Sequence, residues 1–275
     1  MAIPPHGSPD LSLVMPCYNE EAIVGSAISR LLTAFARAGH RLELIAVDNG
    51  STDRTGAVIR RLAAADGAVV PHRVEQNQGY GHGILSGLPL CTAPWVGIVP
   101  ADAQVDPEDV VRLFEAACAA DRSVLAKVRR CFRTGGLSRR LFTFAYNLLI
   151  RCLWPGLRSF DVNGTPKLLP AAVARAMRLT SKGWLLDAEI MVKAKRMGVR
   201  LLERNVFDRQ RSGGRSHVRL ATCWELLWGV VKLRLCGAGP VEPMPAGADA
   251  RLPLGVSGYL SVSRQACKKP ALDSK

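Results

Sequence analysis

The chain has 275 residues, 48% of them apolar, enough to bury a sizeable core in one large domain and too apolar for a disordered polymer. Its 37 Lys and Arg against 23 Asp and Glu give a net charge of +14, which points to an acidic partner: nucleic acid, anionic lipid or a phosphorylated small molecule. The eight cysteines include no C-x-x-C pair, so no zinc or dithiol site is indicated, and several sit within apolar runs and read as small core residues in a reducing compartment.

Residues 1–10 hold Pro and Gly without a basic region followed by an apolar stretch, and read as a flexible N-terminus rather than a signal peptide. Residues 11–15, LSLVM, predict a buried strand. Asn19 is placed to cap the next helix, with Glu20 and Glu21 in a first turn where carboxylates suit the helix dipole. Ile23, Ala27, Leu31, Ala34 and Phe35 then recur at helical spacing up to Gly39. Residues 42–47, LELIAV, predict a second strand, and Ser51 is placed to cap a second helix running to about residue 65. A third strand follows at 68–74, and the glycine-rich loop NQGYGHG, residues 77–83, precedes a short helix through residue 90. Residues 95–99 predict a fourth strand. Asp106-Pro107-Glu108-Asp109 is a strong helix start, with an Asp cap, Pro at the first position and acids in the first turn. That helix runs to about residue 120, and a fifth strand covers 123–128. Strand and helix alternating with short connections predict an α/β fold, a mostly parallel sheet covered on both faces. Ligands on such sheets sit beyond the carboxyl ends of the strands, so the polar loops after strands one, two and four converge on one crevice.

The second half reads differently. Residues 137–153 are helical, with an uncharged LFTFAYNLLI core flanked by Arg139, Arg140 and Arg151. Residues 184–204 give a further helix and then the strand VRLLERNVF, and 220–235 form an apolar helix with two Trp and a basic end. From 237 to 275 Pro, Gly, Ala and Ser dominate, the composition of a flexible tail. The expected division is therefore 1–10, an α/β domain over 11–219, an amphipathic interface helix at 220–236, and a tail. No stretch reaches about 18 uncharged apolar residues, so no transmembrane helix is expected. A helix apolar around most of its circumference, as at 137–153, is either core or membrane-embedded. The flanking Arg and Trp154 favour the lipid interface.

Four motifs carry chemistry. In Pro16-Cys17-Tyr18-Asn19-Glu20-Glu21, Pro fixes the chain as it leaves the sheet, Tyr can pack on a base, and Glu20 can accept from a ribose or base. An ordinary helix cap accounts for Asn19 and the acids but not for Pro16 and Tyr18. In Val47-Asp48-Asn49-Gly50-Ser51-Thr52-Asp53, two adjacent Asx side chains at a strand end can hydrogen-bond a base edge, although a capped strand-to-helix turn has the same composition. The NQGYGHG loop lacks the Lys-Ser/Thr of a P-loop and reads less as a phosphate cradle than as a place where backbone passes close to a ligand. Asp102 and Gln104 offer two oxygen ligands on one loop, suited to Mg²⁺ or Mn²⁺ with a diphosphate.

In order, PCYNEE, VDNGSTD, NQGYGHG and ADAQVDPED resemble the successive signatures of family 2 glycosyltransferases with the GT-A fold, a Rossmann-like α/β sheet. Arg129-Arg130 with the apolar 137–149 stretch, the run Asp161-Val162-Asn163-Gly164-Thr165-Pro166-Lys167, Trp184-x-x-Asp187-x-Glu189, and Arg209-x-Arg211-x-Gly213-Gly214-x-Ser216 resemble its polyprenyl-phosphate branch, typified by dolichyl-phosphate mannosyltransferase and bacterial relatives. The resemblance covers residues 11–235. It implies that Pro16, Tyr18 and Glu20 hold the base and ribose of a nucleotide sugar, and that Val47 and Asn49 continue that pocket, Asn49 standing where a second Asp is more usual. It implies that Asp102 and Gln104 bind a divalent cation bridging the donor diphosphate. Pro100 stands in place of the usual first Asp, so one acidic ligand is lost. Arg209 and Arg211 lie where the family has cations near the phosphates. The implied activity is inverting transfer of a mannose- or glucose-type hexose to a polyprenyl phosphate, peripherally at the cytoplasmic face of a membrane or through a membrane-protein partner.

Sugar transfer requires a stabilised leaving diphosphate, which a cation and Arg side chains supply. A lipid phosphate acceptor is already ionised and requires no base. A hydroxyl acceptor requires one, and Asp187 or Glu189 would be the candidates, both of which equally read as the first turn of a helix. A family 2 enzyme acting on a glycan or small-molecule hydroxyl is thus the second reading. A non-catalytic nucleotide or nucleic-acid binder is the third, motivated by the charge and Pro100. The chain shows no aromatic–basic interleaving of an RNA-binding sheet, so no nucleic acid is expected.

Overall fold

The computed structural model describes residues 7–120, 123–130, 137–157, 159, 161–206 and 220–243. Arg209 and Arg211 lie outside the described residues, as do 244–275. The apolar runs assemble into one seven-stranded sheet, with β1 (Leu11–Cys17), β2 (Leu42–Asn49), β3 (Val69–Val74), β4 (Trp95–Ile98), β5 (Val124–Arg130), β6 (Lys167–Pro170) and β7 (Arg200–Val206) in the order β3-β2-β1-β4-β6-β5-β7. β1 pairs parallel with β2, from Leu11 opposite Leu42 to Cys17 opposite Asp48, and parallel with β4. β6 runs antiparallel between β4 and β5. At four residues, KLLP, it is too short to carry a period of its own, and sequence reading passes over it.

Strands buried on both faces need a helical layer on each side. On one side α1 (Val24–Arg37), α2 (Thr55–Ala65) and α4 (Pro107–Cys118) pack on Leu11, Leu13, Met15 and Cys17 of β1. On the other side lie α3 (Tyr80–Gly87), α5 (Leu137–Leu153), α6 (Ala171–Ala176), α7 (Leu186–Arg196) and α8 (Leu220–Leu235). The α4 start is as expected: Asp106 Oδ1 accepts the Glu108 N–H at 3.2 Å with Pro107 in the first turn.

The start of α1 differs from expectation. It begins at Val24 with no acid in its first turn, and Asn19 adopts a left-handed φ of 54°, a region that Asn tolerates better than most residues. Residues 237–243 also differ: they dock rather than trail. Glu242 N–H donates to Ala176 O at 2.9 Å, Arg178 pairs with Glu242, and Arg196 donates to Gly239 O. At the other end Asp10 is equally tied, its carboxylate accepting the Arg41 N–H at 2.8 Å.

Candidate functional site

The winding of the sheet reverses between β1 and β4, with β2 and β3 on one side and β6, β5 and β7 on the other. A crevice opens at the carboxyl ends of the strands at such a reversal. The loops after β1 and β2 are stitched together at its rim. Asn19 N–H donates to Ser51 Oγ at 3.2 Å, Asn19 Oδ1 accepts the Thr52 N–H at 2.9 Å, and Glu20 N–H donates to Thr55 Oγ1 at 2.8 Å. This pairing is what Asn19 does instead of capping a helix. Nor does Ser51 cap one: its N–H donates to Asp48 Oδ1, and α2 is opened by Asp53, whose Oδ1 accepts the Thr55 N–H.

Pro16 and Tyr18 are half-buried and Glu20 is buried at this rim. Asn49 ends β2 and is 3% exposed. Its amide donates to Gly79 O at 3.1 Å, while its carbonyl oxygen is buried with no hydrogen-bond partner. Such an orphan acceptor is uncommon and costs about 1–3 kcal/mol unless a ligand satisfies it. Val47 is different from expectation: it is fully buried against Val14 and Ile45, and a methyl on Gly87 of α3 would come within 2.9 Å of it. Its side chain forms core beneath the crevice and offers no surface to a ligand.

The loop after β4 carries Asp102 and Gln104. Asp102 Oδ1 accepts the Gln104 N–H at 3.2 Å around Ala103, which is left-handed at φ 53°. Both side chains thus leave one tight turn. Among the described residues no cluster of three or more His, Cys, Asp or Glu could hold a metal by itself. One carboxylate and one amide carbonyl supply too few oxygens for a hard divalent cation. The set fits a cation whose shell a bound diphosphate and water complete.

The glycine-rich loop is packed against the chain itself. His82 N–H donates to Lys182 O at 2.7 Å, and a methyl on Gly81 would run into the Ser181 and Gly183 carbonyls, the latter at 2.7 Å. The backbone that passes close to Gly79 and Gly81 is the strap 180–184, and Gly83 packs against the Asn49 side chain. Glu189 holds that strap. It accepts the Thr180 and Ser181 N–H groups at 3.0 and 2.8 Å and pairs with buried Lys193 at 2.7 Å. Burial raises the Glu189 carboxyl, but these bonds outweigh it and hold the group below its ordinary value. The strap sets the Trp184 indole on the Tyr80 ring, centroids 4.7 Å apart and planes 10° from parallel. Burial pushes the Tyr80 phenol well up, and the charges of Asp187 and Asp102 add to the shift.

Asp187 is 4% exposed and accepts from Lys167 Nζ. Lys167 is fully buried at the start of β6, opposite Ile98 of β4 and Lys127 of β5. Burial pulls its pKa down to about 8 against the attraction of Asp187, and Lys127 adds to the lowering. Lys127, also fully buried, donates to Asp161 O at 2.6 Å and pairs with Glu203 at 2.9 Å. Arg130 forks onto Asp161 at 2.9 and 3.0 Å. The 161–167 run is therefore clamped by β5, and Gly164 is required there because a methyl would run into the Val128 backbone carbonyl and come within 3.0 Å of the Asp161 carbonyl oxygen. Lys127 was not picked out from sequence, and Tyr80 and Lys167 were quoted only as members of longer motifs, without a role of their own. A Lys inside the apolar strand SVLAKV was the available signal.

Comparison with known proteins identifies the family and the fold. The model of the family described as "Glycosyl transferase family 2" matches residues 12–183. The dodecaprenyl-phosphate galacturonate synthase of Rhizobium johnstonii is 28% identical over 64% of this chain and 52% of its own length. The undecaprenyl-phosphate 4-deoxy-4-formamido-L-arabinose transferase of Pectobacterium carotovorum is 32% identical over 52% of this chain and 43% of its own. The chain thus spans about half the length of the curated relatives it matches. Among solved structures, glucosyl-3-phosphoglycerate synthase from Mycobacterium tuberculosis, in complex with Mn²⁺, UDP and glucosyl-3-phosphoglycerate, superimposes with a TM-score of 0.65 at 21% identity, over 82% of this chain and 80% of that one. Mannosyl-3-phosphoglycerate synthase from Rubrobacter xylanophilus gives 0.62 at 20%, over 84% and 76%. At these identities the likeness shows a shared GT-A fold.

Proposed function

The chain belongs to glycosyl transferase family 2, and from that premise we propose that this glycosyltransferase moves a sugar from a nucleoside-diphosphate donor to a polyprenyl phosphate. The observation that carries the choice of acceptor is the state of the two carboxylates that could serve a hydroxyl as base. Asp187 is bound to Lys167, and Glu189 is spent on Lys193 and the 180–184 strap. A carboxylate locked to a buried cation is a poor proton acceptor. A phosphate monoester needs no base: its oxygen attacks the anomeric carbon, the bond to the diphosphate breaks, and the nucleoside diphosphate leaves with the electron pair and inverts the centre.

Donor binding falls to the reversal of the sheet. Pro16, Tyr18 and Glu20 enclose the base and ribose, and the orphan Asn49 oxygen accepts an N–H of the base. Asp102 and Gln104 would hold a divalent cation, which would supply electrostatic stabilisation of the leaving diphosphate. Arg209 and Arg211 keep the phosphate-neutralising role that the resemblance implies. The proposed catalytic domain spans 11–219. A hexose of mannose or glucose type is the donor sugar expected from the resemblance. The names of the two curated relatives add galacturonate and formamido-arabinose to the donors worth testing.

The enzyme would work peripherally on a membrane. No helix among the described residues is long and apolar enough to cross one. Instead α5 and α8 leave Phe144 (69% exposed), Leu148, Trp228 (62%) and Leu235 uncovered beside exposed Arg151, Lys232 and Arg234. Apolar anchors with flanking cations suit an anionic leaflet, as at the cytoplasmic face.

A panel of UDP- and GDP-sugars incubated with polyprenyl phosphate and Mg²⁺ or Mn²⁺, followed by lipid extraction, tests the proposal. At least one donor should label the lipid, and failure of every pair would refute the acceptor assignment. Labelling of a glycan or small-molecule hydroxyl in its place would favour the second reading.

A further inference from the structure

Among the described residues, Asn19, Ala103 and Arg178 are left-handed without being glycine. Asn19 meets Thr52 with its side chain, and the Arg178 carbonyl accepts Lys193 Nζ beyond the end of α6. Ala103 has only a methyl group. At a φ of 53° that methyl is pressed against the following carbonyl oxygen, a strain that glycine escapes. Backbone strain of this kind persists only where the surroundings hold it in place, and it collects where a site needs a fixed geometry.

The run Val99-Pro100-Ala101-Asp102-Ala103-Gln104-Val105 shows what holds it. Val99, Ala101 and Val105 are buried in the core between the sheet and the α1–α4 layer, and Ala103 packs against that core. Asp102 and Gln104, which alternate with these apolar residues, are only half-buried. Ala103 lines a small hollow whose other walls include Ala27 and Leu31 of α1 and Val110 of α4. The loop is thus pinned by apolar side chains on both sides of the polar pair and between its two members. The turn at Ala103 brings the Asp102 carboxylate to the Gln104 N–H at 3.2 Å. Two oxygens on neighbouring side chains reach one cation together only while the turn between them stays closed.

We infer that Ala103 is a positioning residue for the cation, its methyl, seated against α1 and α4, keeping Asp102 and Gln104 directed at one metal ion. The inference rests on the reading of those two residues as ligands and adds the part of the loop that aligns them. A purely structural turn is the competing account. Glycine takes this φ without strain, so for folding alone glycine would serve about as well. What glycine lacks is the contact with the core that limits the turn to one shape.

The test compares the wild type with A103G and with A103S, which keeps a Cβ and can turn its hydroxyl to water because Ala103 is half-buried. Binding of Mn²⁺ is followed by electron paramagnetic resonance in the presence of UDP and of GDP, with no acceptor. A103G should raise the Kd for Mn²⁺ about fivefold, with a melting midpoint within about 3 °C of the wild type, because lost packing and relieved strain oppose one another. A103S should stay within about twofold of the wild type in Kd. The Gln104 amide, which donates to Asp102, should exchange its hydrogen about fivefold faster in A103G. Unchanged Mn²⁺ affinity in A103G, an equal loss of affinity in A103S, or unchanged exchange at Gln104 overturns the inference. A wild type that binds Mn²⁺ with neither nucleotide is the separate sign that Asp102 and Gln104 are not ligands, and it overturns the inference together with that reading.

Discussion

Replacing Asp187 with Asn tests the reading of the acceptor side most directly, because stability and chemistry respond differently. The substitution removes the partner of Lys167, which is fully buried and already pulled down to about 8. Breaking a buried ion pair commonly costs about 3–5 kcal/mol because a charge is left uncompensated. Lys167 has an escape, since it can lose its proton. At pH 7 a lysine of pKa about 8 sits roughly one unit below its titration, so neutralising it adds at most about 1 to 2 kcal/mol over the wild type. The sign follows from linkage. The folded pKa lies below the unfolded one, so the unfolded state binds more protons between pH about 8 and 10.5, and wild-type stability rises with pH across that window. In Asp187→Asn the folded pKa drops further, so the deficit vanishes above pH about 8 and grows by up to about 1.4 kcal/mol per unit below it. Denaturant melts from pH 6 to 9 measure this, and a deficit that does not change with pH would refute the charge-pair account. Transfer to a prenyl phosphate at pH 8 should fall by less than about tenfold, whereas loss of a general base costs on the order of 100- to 10,000-fold. A loss of that larger size on a fully folded variant would make Asp187 part of the chemistry and refute its reading as the structural partner of Lys167.

Glu189→Gln should destabilise the protein by about 3–5 kcal/mol, because Lys193 is left buried without its counter-charge. For the wild type, the Glu189 contribution is complete above its ordinary carboxyl pKa and disappears as pH falls through its lowered folded value; acid unfolding that begins earlier than in the variant would contradict this. Gly81→Ala, a change that usually favours a helix, should instead cost about 1–3 kcal/mol, since the new methyl displaces the 180–184 strap; thermal denaturation reads the sign. Asp102→Asn should abolish metal-dependent transfer while leaving the melting midpoint nearly unchanged, with nucleotide-stimulated Mn²⁺ binding as the direct readout. Phe144→Asp combined with Trp228→Glu should lower co-sedimentation with anionic vesicles without altering donor KM in detergent, and unchanged vesicle binding would remove the α5–α8 face from the membrane role.

The first half of the fold was readable because its signals are local. Alternating strands and helices, the Asp106-Pro107 cap and the loops after β1, β2 and β4 all lie within windows of ten residues, where periodicity and capping act. Readings failed where a side chain's partner is remote. Asn19 has all the marks of a cap, but its acceptor is met by Thr52, 33 residues away. Val47 sits in a motif of polar neighbours, yet strand alternation turns it into the core under α3. Asp187 and Glu189 read both as candidate bases and as the first turn of a helix, and nothing nearby in sequence announces Lys167, 20 residues before Asp187. Glu189 has a partner at the helical spacing of four in Lys193, but the pairing draws its meaning from the strap the carboxylate also holds. The glycines of NQGYGHG pointed correctly to a close backbone approach, and only the three-dimensional arrangement shows that the approaching backbone is the chain's own.

The buried lysines explain why the 161–167 run and the 180–184 strap have a definite shape. Lys127, Lys167 and Lys193 are each fully buried and each ion-paired. Buried pairs of this kind are often no more stabilising than apolar side chains of the same volume, so net stability is a weak account of them. Their hydrogen bonds suggest another. Lys127 reaches the Asp161 carbonyl, Lys193 the Arg178 carbonyl, and Lys167 the first turn of α7. Apolar contact cannot select one carbonyl among several, whereas an ammonium group with three donors can. The 161–167 run and the 180–184 strap against Tyr80 are thereby held in place, and fixed polar groups are the condition for electrostatic preorganisation. The same pairing keeps these three charges out of the outward field. A positive surface for the proposed membrane contact would then come from exposed cations, and Arg151, Lys232 and Arg234 are exposed on the same helices as Phe144, Trp228 and Leu235.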